Sequence, residues 1–273
     1  MTERQHAIRR GYFDGPAGQV HYRFAGDAHG IPLVLLHQSP LSGAQFEAVL
    51  PGLAAAGFAA LAPDLPGYGQ SDPNPEPNSL DRYAAILPAA LRSRGWDSAH
   101  LVGHHTGAVV AACFARAAPA AVRRLVLNGF PLLSAEEREH FLSFYFGPPQ
   151  PRADGSHLLD AWHNRLRSTP GWRDLDLMHR YTVIGLASGA HNWKAFPLII
   201  AADLAQLLRD LAVPTLLLTN TGEDLYAATQ RCRALRPDFA YAELQGGTHD
   251  IIDEQPQEWL RAVVTFLQGA HGG

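Results

Sequence analysis

Two kinds of hydrophobic pattern alternate along the first half of the chain. Short runs that are apolar on both faces are followed by stretches in which apolar residues recur at helical spacing. This alternation is typical of a parallel sheet that is covered by helices on both faces. The predicted strands are residues 20–25, 31–37, 58–63, 99–103 and 122–128, and the predicted helices are residues 43–56, 79–94 and 106–118.

The pattern changes between about residues 131 and 211, where aromatic and charged helical stretches contain no run typical of a buried strand. The sheet pattern then resumes. Because it resumes, the sequence predicts one α/β core domain, residues 1–130 and 212–273, with residues 131–211 inserted as a helical cap. A separate helical domain is the alternative. The later predicted strands are residues 215–219 and 239–244, and the later predicted helices are residues 225–235 and 257–267.

Composition and charge narrow the function classes. Hydrophobic residues make up 47% of the chain, and the formal net charge is −4, so no basic surface for nucleic acid is indicated. The two cysteines, Cys113 and Cys232, fall in predicted helices and form no disulfide framework. Residues 1–10 are polar, and no run approaches the roughly 18 apolar residues of a membrane span. These features predict a cytoplasmic protein with neither nucleic acid nor membrane as a partner.

The most informative segment is GHHTG, residues 103–107, which stands between a predicted strand and a predicted helix. Two glycines flank a sharp turn that lifts its central residue, His105, above the edge of the sheet. The N–H of the next residue and the helix N-terminus then face any negative charge that develops there.

This turn resembles the nucleophile elbow of the α/β-hydrolase family, which commonly reads Gly-His-Ser-x-Gly, but His105 stands in place of the serine. Other marks of the family occur in the expected chain order: LHQSP (36–40) resembles its oxyanion loop, DLPGYGQSD (64–72) its Asp-x-x-Gly-x-Gly-x-Ser segment, and GTH (247–249) the place of its catalytic histidine. The resemblance covers nearly the whole chain. It implies an α/β-hydrolase fold, with a mainly parallel sheet flanked by helices and a helical cap.

The resemblance also implies catalytic roles. His249 would be the general base, because an imidazole titrates near neutral pH. Asp224 would hold the Nδ1–H of His249 and fix its tautomer. The neighbouring Glu223 is the rival for this role, since loop registers slip by one residue. Asp224 is preferred, and it would also cap the helix that follows.

The oxyanion loop supplies a second group of candidates. In the family register, the backbone N–H groups of Ser39 and Thr106 would form the oxyanion hole, with Gln38 beside them. The hydroxyl of Ser39 would lie within reach of the site, although a loop serine that bonds its own backbone is the plainer interpretation. His37 is expected to brace the loop by hydrogen bonds.

His105 itself has several possible roles. An imidazole can act as a nucleophile, yet an acyl-imidazole is labile, and a second acid/base group or a polar wall fits better. Two imidazoles at close range would lower the pKa of at least one of them. His105, His249 and Asp224 also form a two-histidine, one-carboxylate set. In the family geometry Asp224 binds the far side of His249, so the three do not converge, and no metal or other cofactor is predicted.

The predicted cap is rich in aromatic residues. Collectively they suggest a pocket for an apolar or aromatic small-molecule substrate, although each one alone more simply packs the cap onto the sheet. Trp162 and Tyr145 are the candidates for substrate binding. The other aromatic candidates are Phe141, Phe144, Phe146, Trp172, Tyr181 and Trp193.

Three functions are compatible with these residues. The first is hydrolysis of a small ester, lactone or related carbonyl compound. The second is a lyase, decarboxylase or isomerase that uses acid/base chemistry without a covalent step. The third is a catalytically inactive ligand-binding protein. Retention of both Asp224 and His249 speaks against the third, and the sequence does not separate the first two.

Overall fold

Eight strands form one sheet in the described part of the chain. The structure is a computed structural model that describes residues 7–76, 78–144, 150–171 and 174–269. The strand order across the sheet is β1-β2-β4-β3-β5-β6-β7-β8. The strands are β1 (Arg9–Gly15), β2 (Gly18–Ala25), β3 (Ile31–Leu36), β4 (Phe58–Pro63), β5 (Ala99–His104), β6 (Val122–Asn128), β7 (Thr215–Asn220) and β8 (Ala240–Leu244).

Helices cover both faces of this sheet. Side chains of β3 alternate between two hydrophobic cores: Val34 and Leu36 lie in one, and Leu33 and Leu35 lie in the other. This alternation explains why β3 is apolar at every position. The helices are α1 (Leu50–Ala55), α2 (Leu80–Ala84), α3 (Ile86–Ser93), α4 (Thr106–Ala117), α5 (Ala135–Phe144), α6 (Ser156–Ser168), α7 (Leu175–Ala187), α8 (Ala195–Ala201), α9 (Leu204–Arg209), α10 (Tyr226–Leu235), α11 (Ile251–Glu254) and α12 (Pro256–Leu267).

The mainly parallel sheet flanked by helices confirms the predicted fold class. The strands from β4 through β3, β5, β6 and β7 to β8 pair in parallel, whereas β1 with β2 and β2 with β4 are antiparallel. The sequence did not predict β1. It is an edge strand in which only Phe13 is buried, so it lacks the apolar run by which the other strands were found.

Two predicted helices are broken in the structure. The segment 43–56 consists of a 3₁₀ turn, Gly43–Phe46, followed by α1. The segment 79–94 divides into α2 and α3 at Ala85. Proline accounts for both breaks, because Pro51 and Pro88 have no N–H with which to bond the preceding helical turn.

The described part of the segment between β6 and β7 contains α5 to α9, joined by loops and a 3₁₀ turn, and no strand. Helices α6 and α7 contact loops at the carboxyl end of the sheet. In one such contact, the backbone N–H of Gly69 donates to Ser188 Oγ over 3.0 Å. The division into a core and a cap domain stays a prediction, but these contacts lie on the side that it requires. No helix of the described residues combines the length and the apolar character that a membrane span needs.

Candidate active site

His105 occupies a strained turn between β5 and α4. Its backbone has φ 48° and ψ −106°, a conformation that non-glycine residues rarely adopt. The flanking glycines are required by close packing. A Cβ on Gly103 would lie 2.3 Å from Gly107 O, and a Cβ on Gly107 would lie 2.0 Å from Leu36 O. The turn therefore presents the imidazole at the carboxyl end of the sheet, as the sequence predicted.

Glu223 binds this imidazole. Its Oε2 lies 2.8 Å from His105 Nε2, and its carboxylate side chain is 0% exposed. Thr219 Oγ1, also buried, donates to Glu223 Oε1 over 2.5 Å and so fixes the carboxylate. The carboxylate accepts the Nε2–H, and in the neutral imidazole the lone pair is then on Nδ1. Within the described residues no hydrogen bond to Nδ1 of His105 is found.

The structure corrects the assignment of the two acids. Asp224 Oδ2 lies 4.0 Å from His249 Nδ1, an ion-pair distance rather than the predicted hydrogen bond, and the Asp224 side chain is 67% exposed. Glu223, the rival acid, contacts His105 and not His249. The adjacent residues point in opposite directions because the turn after β7 buries one side chain and exposes the other.

His249 and His105 share one site, with ring centroids 6.3 Å apart in an edge-to-face arrangement. Arg165, from α6, places Nη1 3.3 Å from His249 Nε2. Its Nη2 also forms an ion pair with Asp250, whose side chain is fully buried. Burial lowers the pKa of His249; Asp250 and Asp224 act to raise it, and Arg165 and His105 act to lower it further.

His104 lies directly beneath the elbow and is completely buried. Burial holds its pKa well below the usual value, and the neighbouring histidines add to this effect. With His105 and Glu223 it forms a group close enough to consider as a metal site. However, the amide of Gln45 donates to His104 Nδ1 over 2.6 Å, while Gln45 Oε1 accepts from Gln38 N. The proton of His104 is therefore on Nε2. A histidine that binds a metal through one ring nitrogen usually donates the N–H of the other nitrogen, but Nδ1 of His104 accepts a hydrogen bond instead, so we propose no metal there.

The predicted oxyanion loop, residues 36–40, lies against the elbow. Thr106 Oγ1 donates to Ser39 Oγ over 2.9 Å, and Ser39 Oγ is 2.6 Å from the hydroxyl of Tyr68. The N–H of Ser39 is directed at Thr106 Oγ1 over 3.3 Å. Gln38 points elsewhere: its Nε2 donates to Asp250 Oδ1 over 3.3 Å. The hydroxyl of Ser39 is thus engaged in a chain of hydroxyl groups.

His37 braces this loop. Its Nδ1 donates to Gln38 O and its Nε2 accepts from Leu65 N, each over 2.8 Å. Burial lowers the pKa of His37 to about 4, so the ring is neutral at physiological pH. A neutral ring can donate from one nitrogen and accept at the other, which this brace requires.

Six of the eight aromatic candidates of the predicted cap fall into three groups. Trp162 is half-buried on α6, three residues before Arg165 and therefore on the same face of the helix. Tyr181 is buried against the site: its ring lies 5.0 Å from the guanidinium of Arg165, and its hydroxyl donates to Asp253 over 2.6 Å. Tyr145, Phe146, Trp172 and the side chain of Phe144 lie outside the described residues.

Comparison with known proteins agrees with this fold. A sequence profile described as the alpha/beta hydrolase fold matches residues 31–256. The chain belongs to the α/β-hydrolase family. A non-heme chloroperoxidase of Streptomyces lividans is 32% identical over 273 residues, which cover 91% of this chain and 96% of the relative. Epoxide hydrolase A of Mycobacterium tuberculosis is 27% identical, with 88% of this chain and 91% of the relative covered.

Solved structures support the same fold. The crystal structure of the enol-lactonase from Burkholderia xenovorans superposes with a TM-score of 0.80 at 19% identity, and the match covers 94% of this chain and 100% of that one. These relatives are enzymes of the α/β-hydrolase fold. This chain is likewise an enzyme of that fold. The residue at the centre of its elbow is His105.

The sequence did not predict the roles that four residues of the site have in the structure. The sequence indicates Glu223 only as an alternative partner of His249. Arg165 resembles the other charged residues of the predicted cap, and no pattern marks it. Asp250 adjoins His249 and begins a helical turn, which is a weak signal for a buried acid. Gly129 directly follows a buried strand, a position where glycine often permits a close approach.

Gly129 leaves the space that the His105–Glu223 pair fills. A Cβ there would lie 2.4 Å from His105 Cδ2 and 2.7 Å from Glu223 Oε2, and the backbone has φ +61°. We therefore expect Gly129→Ala to displace the pair and lower kcat/KM about 100-fold or more. Gly189→Ala is the matched control, because Gly189 has φ +56° but nothing within 4 Å of the added Cβ. Equal activity of the two variants would contradict the prediction.

The buried side chain of Asp253 should make the stability of the fold depend on pH. Burial raises its pKa to about 7, with Asp250 adding to the shift and Tyr181, Arg165 and Arg180 opposing it. The folded chain thus holds this proton more tightly than the unfolded chain, and stability falls as the pH rises from about 4 to about 7. We expect Asp253→Asn to raise the free energy of unfolding by about 2–4 kcal/mol at pH 8 and to change it little near pH 4. Urea unfolding at the two pH values measures this; equal effects at both would contradict it.

Proposed function

We propose that this α/β-hydrolase hydrolyses small, apolar esters or lactones with a water molecule activated by His105. The observation that supports this most directly is the 2.8 Å contact between His105 Nε2 and Glu223 Oε2 at the elbow. A carboxylate that accepts one ring N–H holds the tautomer whose other nitrogen is basic. The pair therefore has the form of a histidine–acid dyad, positioned where the family normally presents a serine.

The reaction follows from this tautomer. His105 Nδ1 takes a proton from water as the water oxygen attacks the carbonyl carbon of the substrate. The carbonyl π bond opens, and its electron pair becomes an oxyanion. When the carbonyl re-forms, the bond to the alkoxide breaks, and His105 Nδ1 returns the proton to that oxygen. The products are an acid and an alcohol, or a hydroxy acid from a lactone, and no bond to the protein forms.

The oxyanion would be stabilised at the N-terminus of α4. The backbone N–H of Thr106 stands there, where the helix dipole favours negative charge. The N–H of Ser39, now 3.3 Å from Thr106 Oγ1, would be the second donor. The hydrogen bond that the Ser39 N–H now makes is long, and replacing its acceptor by the negatively charged oxyanion is favourable.

Water rather than His105 is proposed as the nucleophile for a chemical reason. Attack by Nδ1 would form an acyl-imidazole, which is labile and must itself be hydrolysed. The substrate class rests on Trp162, half-buried on the face of α6 that carries Arg165, and on Tyr181, whose ring lies 5.0 Å from the Arg165 guanidinium. Apolar walls with few polar groups are typical of pockets for small ligands.

The test is hydrolysis of nitrophenyl acetate, nitrophenyl butyrate and simple γ- and δ-lactones by the wild type and by His105→Ala. We expect the substitution to lower kcat/KM at least about 100-fold, which is the usual contribution of a general base. His29→Ala, at an exposed histidine distant in sequence, is the control. When the reaction is run in H₂¹⁸O and quenched during turnover, we expect ¹⁸O in the product acid and no acyl group on the protein.

Three outcomes would overturn the proposal. Full activity of His105→Ala would exclude His105 as the base. An acyl group mapped to His105 would make it the nucleophile. Exchange of protons next to a carbonyl in D₂O, without hydrolysis, would favour a lyase, decarboxylase or isomerase.

A further inference from the structure

Arg165 fixes the protonation of His249. A guanidinium can only donate hydrogen bonds, so His249 Nε2, 3.3 Å from Arg165 Nη1, must accept. The ring proton is then on Nδ1, which faces Asp224 Oδ2 over 4.0 Å. The lone pair that a catalytic histidine of this family would turn toward the elbow is therefore occupied by the arginine.

The arginine is held firmly in this position. Its side chain is 10% exposed and pairs with the fully buried Asp250. Its guanidinium lies 5.0 Å from the centre of the Tyr181 ring. Asp250 is fixed in turn by Gln38 Nε2, 3.3 Å from Oδ1. A charge pair with this burial and this many partners does not exchange readily with a transient acceptor.

We propose that Arg165 withdraws His249 from proton transfer, so that α6 determines which of the two histidines serves as the base of the site. This inference extends the proposed function. It depends on the proposed function in one respect, which is that the reaction takes place at the elbow. Arg165 then has a positioning role that needs both nitrogens of its planar guanidinium, because Nη1 contacts His249 while Nη2 binds Asp250. A serine placed at the elbow would not be activated while Arg165 is present.

The charges around His249 agree with this role. Arg165 faces it from α6, Asp250 from the next residue, Asp224 from the turn after β7, and His105 from the elbow. Burial is the largest influence and lowers the pKa of His249; Asp250 opposes this shift, and the cation of Arg165 adds to it. Burial and the cation together keep Nε2 unprotonated and able to accept from the arginine.

The first experiment uses His105→Ser as the background and a fluorophosphonate that labels activated serines. We expect slow labelling in this variant, and labelling at the elbow about 10- to 100-fold faster when Arg165→Met is added, because His249 is then free to act as a base. Arg180→Met is the matched control, since Arg180 is another cap arginine that pairs with a core acid, Glu47. Equal rates with and without Arg165 would overturn the proposal.

Arg165→Met leaves Asp250 buried without its partner, which could unfold the chain. The double substitution Arg165→Met with Asp250→Asn removes both charges together and should give the same acceleration. A second readout is ¹⁵N NMR of His249 in protein with His105 intact. We expect a single Nδ1–H tautomer in the wild type and, without Arg165, a higher pKa and a mixture of tautomers. An unchanged His249 spectrum would contradict the proposal, whatever the ester assays of the wild type show.

Discussion

Glu223→Gln should lower kcat/KM for ester hydrolysis about 1000- to 10,000-fold while the chain remains folded. The carboxylate accepts the Nε2–H of His105 over 2.8 Å and is the only group in the described structure that bonds this imidazole. An amide can turn an N–H toward the ring, which then places the proton on Nδ1 and removes the base. Loss of the correct tautomer by such a carboxylate-to-amide change has cost about 10,000-fold in a serine protease.

Asp224→Asn is the matched control for this prediction. The two acids are adjacent in sequence, but Asp224 is 67% exposed and lies 4.0 Å from its nearest histidine nitrogen. We expect its replacement to change kcat/KM by less than about threefold, because an exposed pair contributes little. Steady-state assays together with thermal unfolding of both variants make the comparison. A larger loss from Asp224→Asn than from Glu223→Gln would show that His249 is the working base.

Gly107→Ala should destabilise the fold by about 3 kcal/mol or more, through overpacking between backbones. The added Cβ would lie 2.0 Å from Leu36 O and 2.8 Å from His37 O. Neither carbonyl belongs to a flexible side chain that could move aside, so α4 must shift away from β3. Such a shift also moves His105, and we expect activity to be lost in any fraction that folds.

Gly95→Ala separates this overpacking from ordinary glycine strain. Gly95 has φ +68°, yet a Cβ there meets nothing within 4 Å. Its replacement should cost only about 1–2 kcal/mol, the usual cost of the left-handed conformation. Denaturant unfolding of the two variants gives the comparison. Similar losses for both would mean that the elbow can relax and that its packing is less strict than the distances suggest.

The central strands and the elbow could be predicted from the sequence because each has a strong local signal. A run such as β3, apolar on both faces, has few alternatives to a buried strand. The turn at His105 was predictable because glycines stand at both points of close contact. Edge strand β1 lacked this signal, since only its pairing with β2 defines it. The breaks in the two predicted helices follow from prolines whose effect on the backbone is local.

The contacts of the site could not be predicted in the same way. Whether Glu223 or Asp224 turns inward depends on the backbone of one turn, and a shift of one residue reverses the outcome. Arg165 reaches His249 across 84 positions of sequence, by way of a helix whose placement depends on tertiary packing. Sequence periodicity describes single elements, whereas these contacts depend on how separate elements meet.

The adjacent acids Glu223 and Asp224 have a consequence for how such a site can evolve. One acid serves the elbow histidine, and the other lies near a second histidine that Arg165 holds. An exchange between serine and histidine at the elbow therefore adds or removes one acid–histidine pair without dismantling the other. A lineage could pass between two catalytic designs while one acid–histidine contact stays in place, with Arg165 as the substitution that commits it to one of them.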